Sequence, residues 1–458
     1  LKTKTKLKAM AALMVTAMLI VGITPFIEGG DAAVGDGGSY TYTITYDSSK
    51  MSSDQASNSA ISVADMTAIY HPSYSGGSTS GYGSWTWNTT TGIGPFNSFY
   101  AAFDMTDGNS FYAILNPYNL LETIDGVSIA STKSNYNIMW VLPTVYWSTT
   151  STTLTLTNDP NGGTAYAHTI NGHTYNYIAI GVYEGATKTV GGQTVLTSES
   201  GSTPTVSQTR ATFRTYAHNY TMSSDLRDSS NVAAYSMQWN FYQWELYKYC
   251  AWALMENFNS QAVVGGGHTY GSTYVFTTGA TDTSGPYAGT PMASSSDAST
   301  HGLDQVKLFI EGSWGGIREF VDGVIVNGTS GYYVDTKSTP DDSTTTGTYV
   351  QYFQDALLSS SGYPGGIVTG RDQTWGMGSS TTGGSESAGL TDYTYTSSSS
   401  NRVLIVGGDS STIASTSVQF GLSYVNASND TTRSYSNLGS RLAFVFDAGP
   451  ASNNTLTF

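Results

Sequence analysis

WNFYQWELYKYCAWALMENFNSQ, Trp239–Gln261, is the one long stretch of this chain that reads as helix. Trp239, Tyr242, Leu246, Tyr249 and Ala253 advance at helical spacing. Phe241, Trp244, Cys250, Trp252 and Leu254 add apolar surface around the sides, so the helix must be packed on more than one face. Asn259-Ser260-Gln261 and then Gly265-Gly266-Gly267 end it, because glycine is the poorest helix former after proline. The simplest fold around such an element is sheet.

Outward from the helix the chain supplies that sheet. FYAAFDM (99–105), FYAILNPYNLL (111–121), YNIMWVLPTVYW (136–147), TTLTLTN (152–158) and YNYIAIGVYEG (175–185) are β-branched or aromatic runs. Gly, Asn, Asp or Pro closes most of them. YTYTITY (40–46) alternates strictly, as a half-buried strand does. RVLIVGGDS (402–410), SVQFGLSYVN (417–426) and LGSRLAFVFD (438–447) close the chain as further strands. The fold class expected is α+β and β-rich.

Charged residues are 11% of the 458, against about 25% in ordinary soluble chains. Ser, Thr, Asn, 51 Gly and 33 Tyr take their place, and 13% aromatics argue for a folded chain. A net charge of −15 with no basic cluster beyond residue 8 excludes nucleic acid as a partner. One cysteine, Cys250, makes no internal disulfide and reads as a small core residue.

Lys2, Lys4, Lys6 and Lys8 precede an apolar run, Ala9–Ile27, and then Gly29-Gly30-Asp31-Ala32-Ala33. That order marks residues 1–34 as a signal peptide or an N-terminal membrane anchor, and an extracellular or cell-surface location. Residues 35–98 are expected to be a β-rich, Ser/Gly/Thr-rich segment, residues 99–448 the main domain and 449–458 a tail. Sequons at Asn88, Asn219, Asn327, Asn426, Asn429 and Asn453 read as glycoprotein signals in a host that glycosylates.

Three pieces of the C-terminal half resemble the formylglycine-generating enzyme (sulfatase-modifying factor) superfamily. Gly316-Ile317-Arg318-Glu319-Phe320-Val321, after Trp314, is similar to its "GNVWEW" strand. Arg402–Asp409 with Gly407-Gly408 is similar to its "RGGSW" segment, and Gly439-Ser440-Arg441 to its "GFR" close. Tyr177–Gly185, Ser200–Pro204, an "R-x-x-FR" strand at Arg210–Arg214 and the "FNSQ" helix end at Phe258–Gln261 resemble phage tail and receptor-binding proteins of that superfamily. The resemblance implies a C-type-lectin-like fold over 99–448. In it Trp314, Gly316, Glu319, Arg402, Gly407, Gly408, Gly439 and Arg441 are structural positions.

The family's catalytic residues have no counterparts. Its enzymes hold copper with paired cysteines, and its sulfoxide synthases hold iron with clustered histidines. This chain has one cysteine and six scattered histidines, of which His168 and His173 are the nearest to a metal pair. Glu319 and Asp322, tested as a glycosidase pair, would face opposite ways on a strand, and Asp322-Gly323 is a common tight-turn pair. Asp341-Asp342 could offer oxygens to Ca²⁺, which takes 6–8 of them, and no loop clearly supplies the rest. No cofactor is expected.

Segments 265–303, 330–400 and 409–436 are rich in Ser, Gly, Thr, Asn and Tyr, the palette of binding loops. The expected function is non-catalytic recognition of a cell-surface glycan or protein. Tyr332, Tyr333, Trp375, Tyr393, Tyr395, Tyr424 and Tyr435 are the candidate contacts. The alternatives are a structural surface or sheath component, or an altered enzyme of the formylglycine-generating type. Oligomeric state is not legible.

Overall fold

The structure, a computed structural model, describes residues 39–55, 60–65, 87, 89–228, 230–255, 258, 260, 275–288, 306–328, 331–343, 347–352, 360–369, 375–377, 383–408, 413–414, 417–418 and 420–448. The expected signal or anchor at 1–34 and the tail at 449–458 lie outside them. The described chain is β-rich with two α-helices, α1 (Arg210–His218) and α2 (Phe241–Met255).

Every residue of α2 is buried. It starts where Asn240 accepts a bond from the Gln243 amide (3.0 Å) while Gln243 accepts one from the Asn240 amide (3.0 Å), a reciprocal cap. That cap makes the helix two residues shorter at its start than the apolar spacing suggested. Aromatic rings surround it: Tyr166 stacks on Tyr242 at 5.4 Å, Trp147 meets Tyr249 at 5.8 Å, and Tyr352 meets Phe241 at 5.0 Å.

Sheet I has seven strands in the order Tyr235–Gln238, Leu442–Phe446, Tyr177–Gly181, Tyr136–Pro143, Phe99–Asp104, Ser110–Asn116, Asn119–Thr123, antiparallel throughout. Both of its faces are covered. Tyr100 and Ala102 join the core around α2, whereas Phe99, Ala101 and Phe103 join a second core with Phe213 of α1. Burial on both faces explains why these strands read as continuous apolar runs rather than alternations.

Sheet II runs Val350–Gln351, Tyr332–Val334, Arg318–Val326, Arg402–Gly407, Gly421–Asn426, Thr394–Tyr395. Leu438–Gly439 lies parallel beside Arg318 and Glu319. A smaller sheet joins Ile61–Asp65, Thr41–Tyr46, Thr153–Thr157 and Tyr146–Thr149. Its register pairs Ile44 with Leu154, so the boundary expected at residue 98 is crossed by continuous hydrogen bonding.

Two local expectations change. Arg210–Arg214 is the start of a helix, not a strand: Thr209 accepts a bond from the Thr212 amide (3.2 Å) as its N-cap. The i,i+4 spacing then puts Arg210 and Arg214 on one face. Asp322-Gly323 is not a hairpin turn either. It is an irregularity inside the strand Arg318–Val326, where the register slips between Val321 and Ile325 and Gly323 takes φ 66°.

Candidate functional site

The three C-terminal motifs meet in the interior. Arg441, fully buried, donates from Nε to Glu319 Oε2 (3.1 Å) and from Nη2 to Glu319 Oε1 (2.5 Å). Its remaining protons go to the carbonyls of Gly181 (2.9 Å), Val182 (3.0 Å) and Glu311 (2.9 Å). One guanidinium thus ties sheet I to sheet II, which only a planar five-donor group can do. Trp314 is fully buried, and its neighbour Ser313 accepts the Tyr247 hydroxyl of α2 at 2.7 Å. Gly407, at φ 87°, lets Ser313 approach; a Cβ there would sit 2.8 Å from the Ser313 carbonyl oxygen. Gly408 continues that bend at φ 69°, Gly439 pairs with Glu319, and Gly316 lies where a Cβ would meet the Glu184 carboxylate at 2.5 Å. Arg402 is the outlier of the set. It sits at a strand end, partly exposed, 3.8 Å from Asp430 rather than inside the network.

At the Thr394–Tyr395 edge of sheet II, where Gly362 exchanges two backbone hydrogen bonds with Thr394, a groove of about 480 Å³ opens. It is lined by Tyr395, Asn426, Ser428 and Asn429 together with Tyr435, Ser436, Asn437 and Arg318. The strand pairing places two of these residues together: Tyr395 lies parallel to Asn426 at the edge. Beyond it the chain turns because Asn426 Oδ1 accepts from the Ser428 amide (3.0 Å) and hydroxyl (2.7 Å) and from Asn429 Nδ2 (3.0 Å). Arg318 and Asn437 are tied to each other, the Arg318 backbone amide donating to the Asn437 carbonyl at 2.9 Å. Arg433 lies 5.4 Å over the Tyr435 ring. The neighbouring Asp430 carboxyl is held below the usual range by hydrogen bonds from Thr432.

Of the seven aromatic candidates, the structure brings four together. Tyr395 and Tyr435 line the groove, Tyr393 packs against Tyr395 with tilted rings 4.7 Å apart, and Tyr424 meets Tyr395 edge-on at 6.1 Å. Tyr424 is itself buried and presents no face outward. Tyr332 and Trp375 are core residues: Tyr332 packs 6.1 Å from Phe241, and Trp375 Nε1 donates to the Thr150 carbonyl at 2.8 Å. Tyr333 is half-buried near the opposite edge of sheet II. Reading by composition missed Arg318, Ser428, Ser436 and Asn437. It noted Asn426 and Asn429 only as sequons, although the Asn-x-Ser turn spacing was a usable signal.

The other polar clusters are structural. Arg214 grips Asp322 with two 2.7 Å bonds, and Arg210 reaches Asp342 at 2.7 Å. His168 is buried beside the Leu142 carbonyl, while His173 pairs with Asp447 at 2.7 Å, so the two histidines do not converge. Burial pushes the Cys250 thiol well up. Asn429 Nδ2 donates to Asn426 Oδ1 at 3.0 Å, and both side chains are largely buried. No group of three or more metal-ligating side chains occurs among the described residues. No protein-family model matches the chain, and no curated protein matches it in sequence.

Proposed function

We propose that the chain is an exported, non-catalytic recognition protein with a C-type-lectin-like main domain, and that its ligand seat is the Tyr395–Tyr435 groove. The fold part is supported by the meeting of Glu319 with Arg441, two residues the resemblance singled out as structural, and by the close approach of Gly407, a third, to the backbone of Ser313. The functional part is carried by one observation: the groove is lined by Tyr, Asn and Ser side chains with a single arginine. Tyrosines supply rigid apolar faces and the small polar groups supply adaptable hydrogen bonds, the combination used by antibody paratopes. Such a lining suits the stacked faces and hydroxyls of a cell-surface glycan, or a polar protein loop.

The test is binding of the purified protein to a glycan array and to microbial cells, beside the Tyr395→Ala and Tyr435→Ala variants. Each substitution is expected to weaken binding about 30-fold, the effect of losing a contact worth about 2 kcal/mol, while leaving the melting transition cooperative. Undiminished binding by both variants would move the seat elsewhere. Absence of binding together with ordered self-assembly would favour a structural surface component.

A further inference from the structure

Inside α2, two oppositely charged groups lie where no solvent reaches them. Lys248 Nζ is 2.7 Å from Glu245 Oε1, and the two side chains are 0% and 2% exposed. Three rings close over the ammonium end: Trp244 at 4.6 Å, Trp252 at 5.0 Å and Tyr249 at 5.4 Å from Nζ. The other carboxyl oxygen is also engaged, since the Tyr249 hydroxyl donates to Glu245 Oε2 at 2.6 Å. Tyr249 is in turn held by the Trp375 amide, which donates to its oxygen at 3.0 Å.

We propose that Lys248 and Glu245 become joined by an isopeptide bond in the folded protein. The amine attacks the carboxyl carbon, the C–N bond forms and the C–O bond breaks. Tyr249 passes its proton to the leaving oxygen and regains one from the nitrogen, so one water departs and no oxidant or cofactor is consumed. Three features favour the step. The partners are held in contact, and orientation of that kind is equivalent to a very high local concentration. Burial also raises the Glu245 carboxyl and lowers the Lys248 ammonium, which favours the neutral acid and neutral amine that condense. Finally, two buried ions each carry a desolvation cost of several kcal/mol, which a neutral amide removes. The bond would tie one helical turn covalently in a chain whose single cysteine excludes an internal disulfide.

Mass spectrometry of the full-length protein, digested with trypsin after complete denaturation, decides the matter. Trypsin does not cut at an acylated lysine. The expected product is one peptide spanning residues 228–307, lighter than its sequence by one water, with the loss located between residues 245 and 248. Lys248→Met should restore the full sequence mass of that region. Cleavage after Lys248 with both fragments at full mass would overturn the proposal. So would a water loss that persists in Lys248→Met. Neither readout requires the variant to fold.

Discussion

His168 gives the fold an acid-sensitive point whose size can be worked out. Its ring is fully buried, Nε2 lies 3.4 Å from the Leu142 carbonyl, and Nδ1 has no hydrogen-bond partner. A carbonyl only accepts, so the neutral ring carries its proton on Nε2. Burial disfavours the imidazolium and lowers the pKa from 6.5 to about 4. Above 6.5 neither folded nor unfolded chain binds this proton, and the histidine contributes no pH dependence. Between 6.5 and about 4 the unfolded chain binds it and the folded chain does not, so stability falls as the pH falls. From pH 7.5 to pH 5.0 that loss is about 2 kcal/mol, most of the roughly 3 kcal/mol that the full shift represents. The raw profile of the protein does not isolate this effect. Burial raises the Glu184, Glu311 and Glu319 carboxyls, and their contribution runs the other way, with stability lost as the pH rises. The difference from His168→Gln does isolate it, because glutamine retains a donor near Leu142 and does not titrate. Urea denaturation of both proteins at pH 7.5 and 5.0, followed by tryptophan fluorescence, should show the gap between them shift by about 2 kcal/mol in favour of the variant at the lower pH. Parallel profiles would refute the reasoning and place the ring's proton acceptor in contact with water.

Two further outcomes test the frame beneath the groove. Arg441→Met should cost about 3–5 kcal/mol in denaturant unfolding, since it strands the buried Glu319 carboxylate; Glu319→Gln, which keeps an acceptor for the guanidinium, should cost less. Equal effects would mean that the ion pair is incidental. Gly407→Ala should cost about 1–3 kcal/mol by thermal or urea unfolding, because φ 87° is strained for alanine and its Cβ would lie 2.8 Å from the Ser313 oxygen.

How much of this was legible in the sequence depended on the range of the interactions. Helix α2 was legible because its aromatic and apolar residues outnumber everything else in the window. Glu245 and Lys248 sit within it at i,i+3, a spacing that reads equally well as a solvated surface pair, and only the surrounding sheets put them inside. Arg210–Arg214 misled because Thr and Phe between the arginines suit a strand; the deciding contact, Arg214 to Asp322, spans 108 residues. The small sheet was half legible. Tyr40–Tyr46 alternates plainly, but its neighbour Thr153–Thr157 lies over 100 residues away. In the loops, Tyr332 and Trp375 sit among the same Gly, Ser and Thr as Tyr395 and Tyr435. Their opposite fates follow from strand order, with Tyr332 against α2 and Tyr395 on the edge strand, and no local pattern carries that information.

The scarcity of charge sharpens the role of the charges that are present. Arg441–Glu319, Arg214–Asp322 and Arg210–Asp342 each join segments more than 100 residues apart. Ion pairs of this kind are weak sources of net stability, because desolvation offsets most of the attraction. What they impose is a penalty on any packing that separates the partners, and that penalty is greatest where both are buried. The pairs are also directional. Arg441 gives protons to three carbonyls in addition to Glu319, so a carboxylate in its place would leave Gly181, Val182 and Glu311 without donors whatever stood at position 319. Few alternative arrangements of the two large sheets satisfy that geometry. A fold specified from within by so few charges leaves its surface to neutral Tyr, Asn, Ser and Thr side chains, and the groove at the edge of sheet II is built from those same groups.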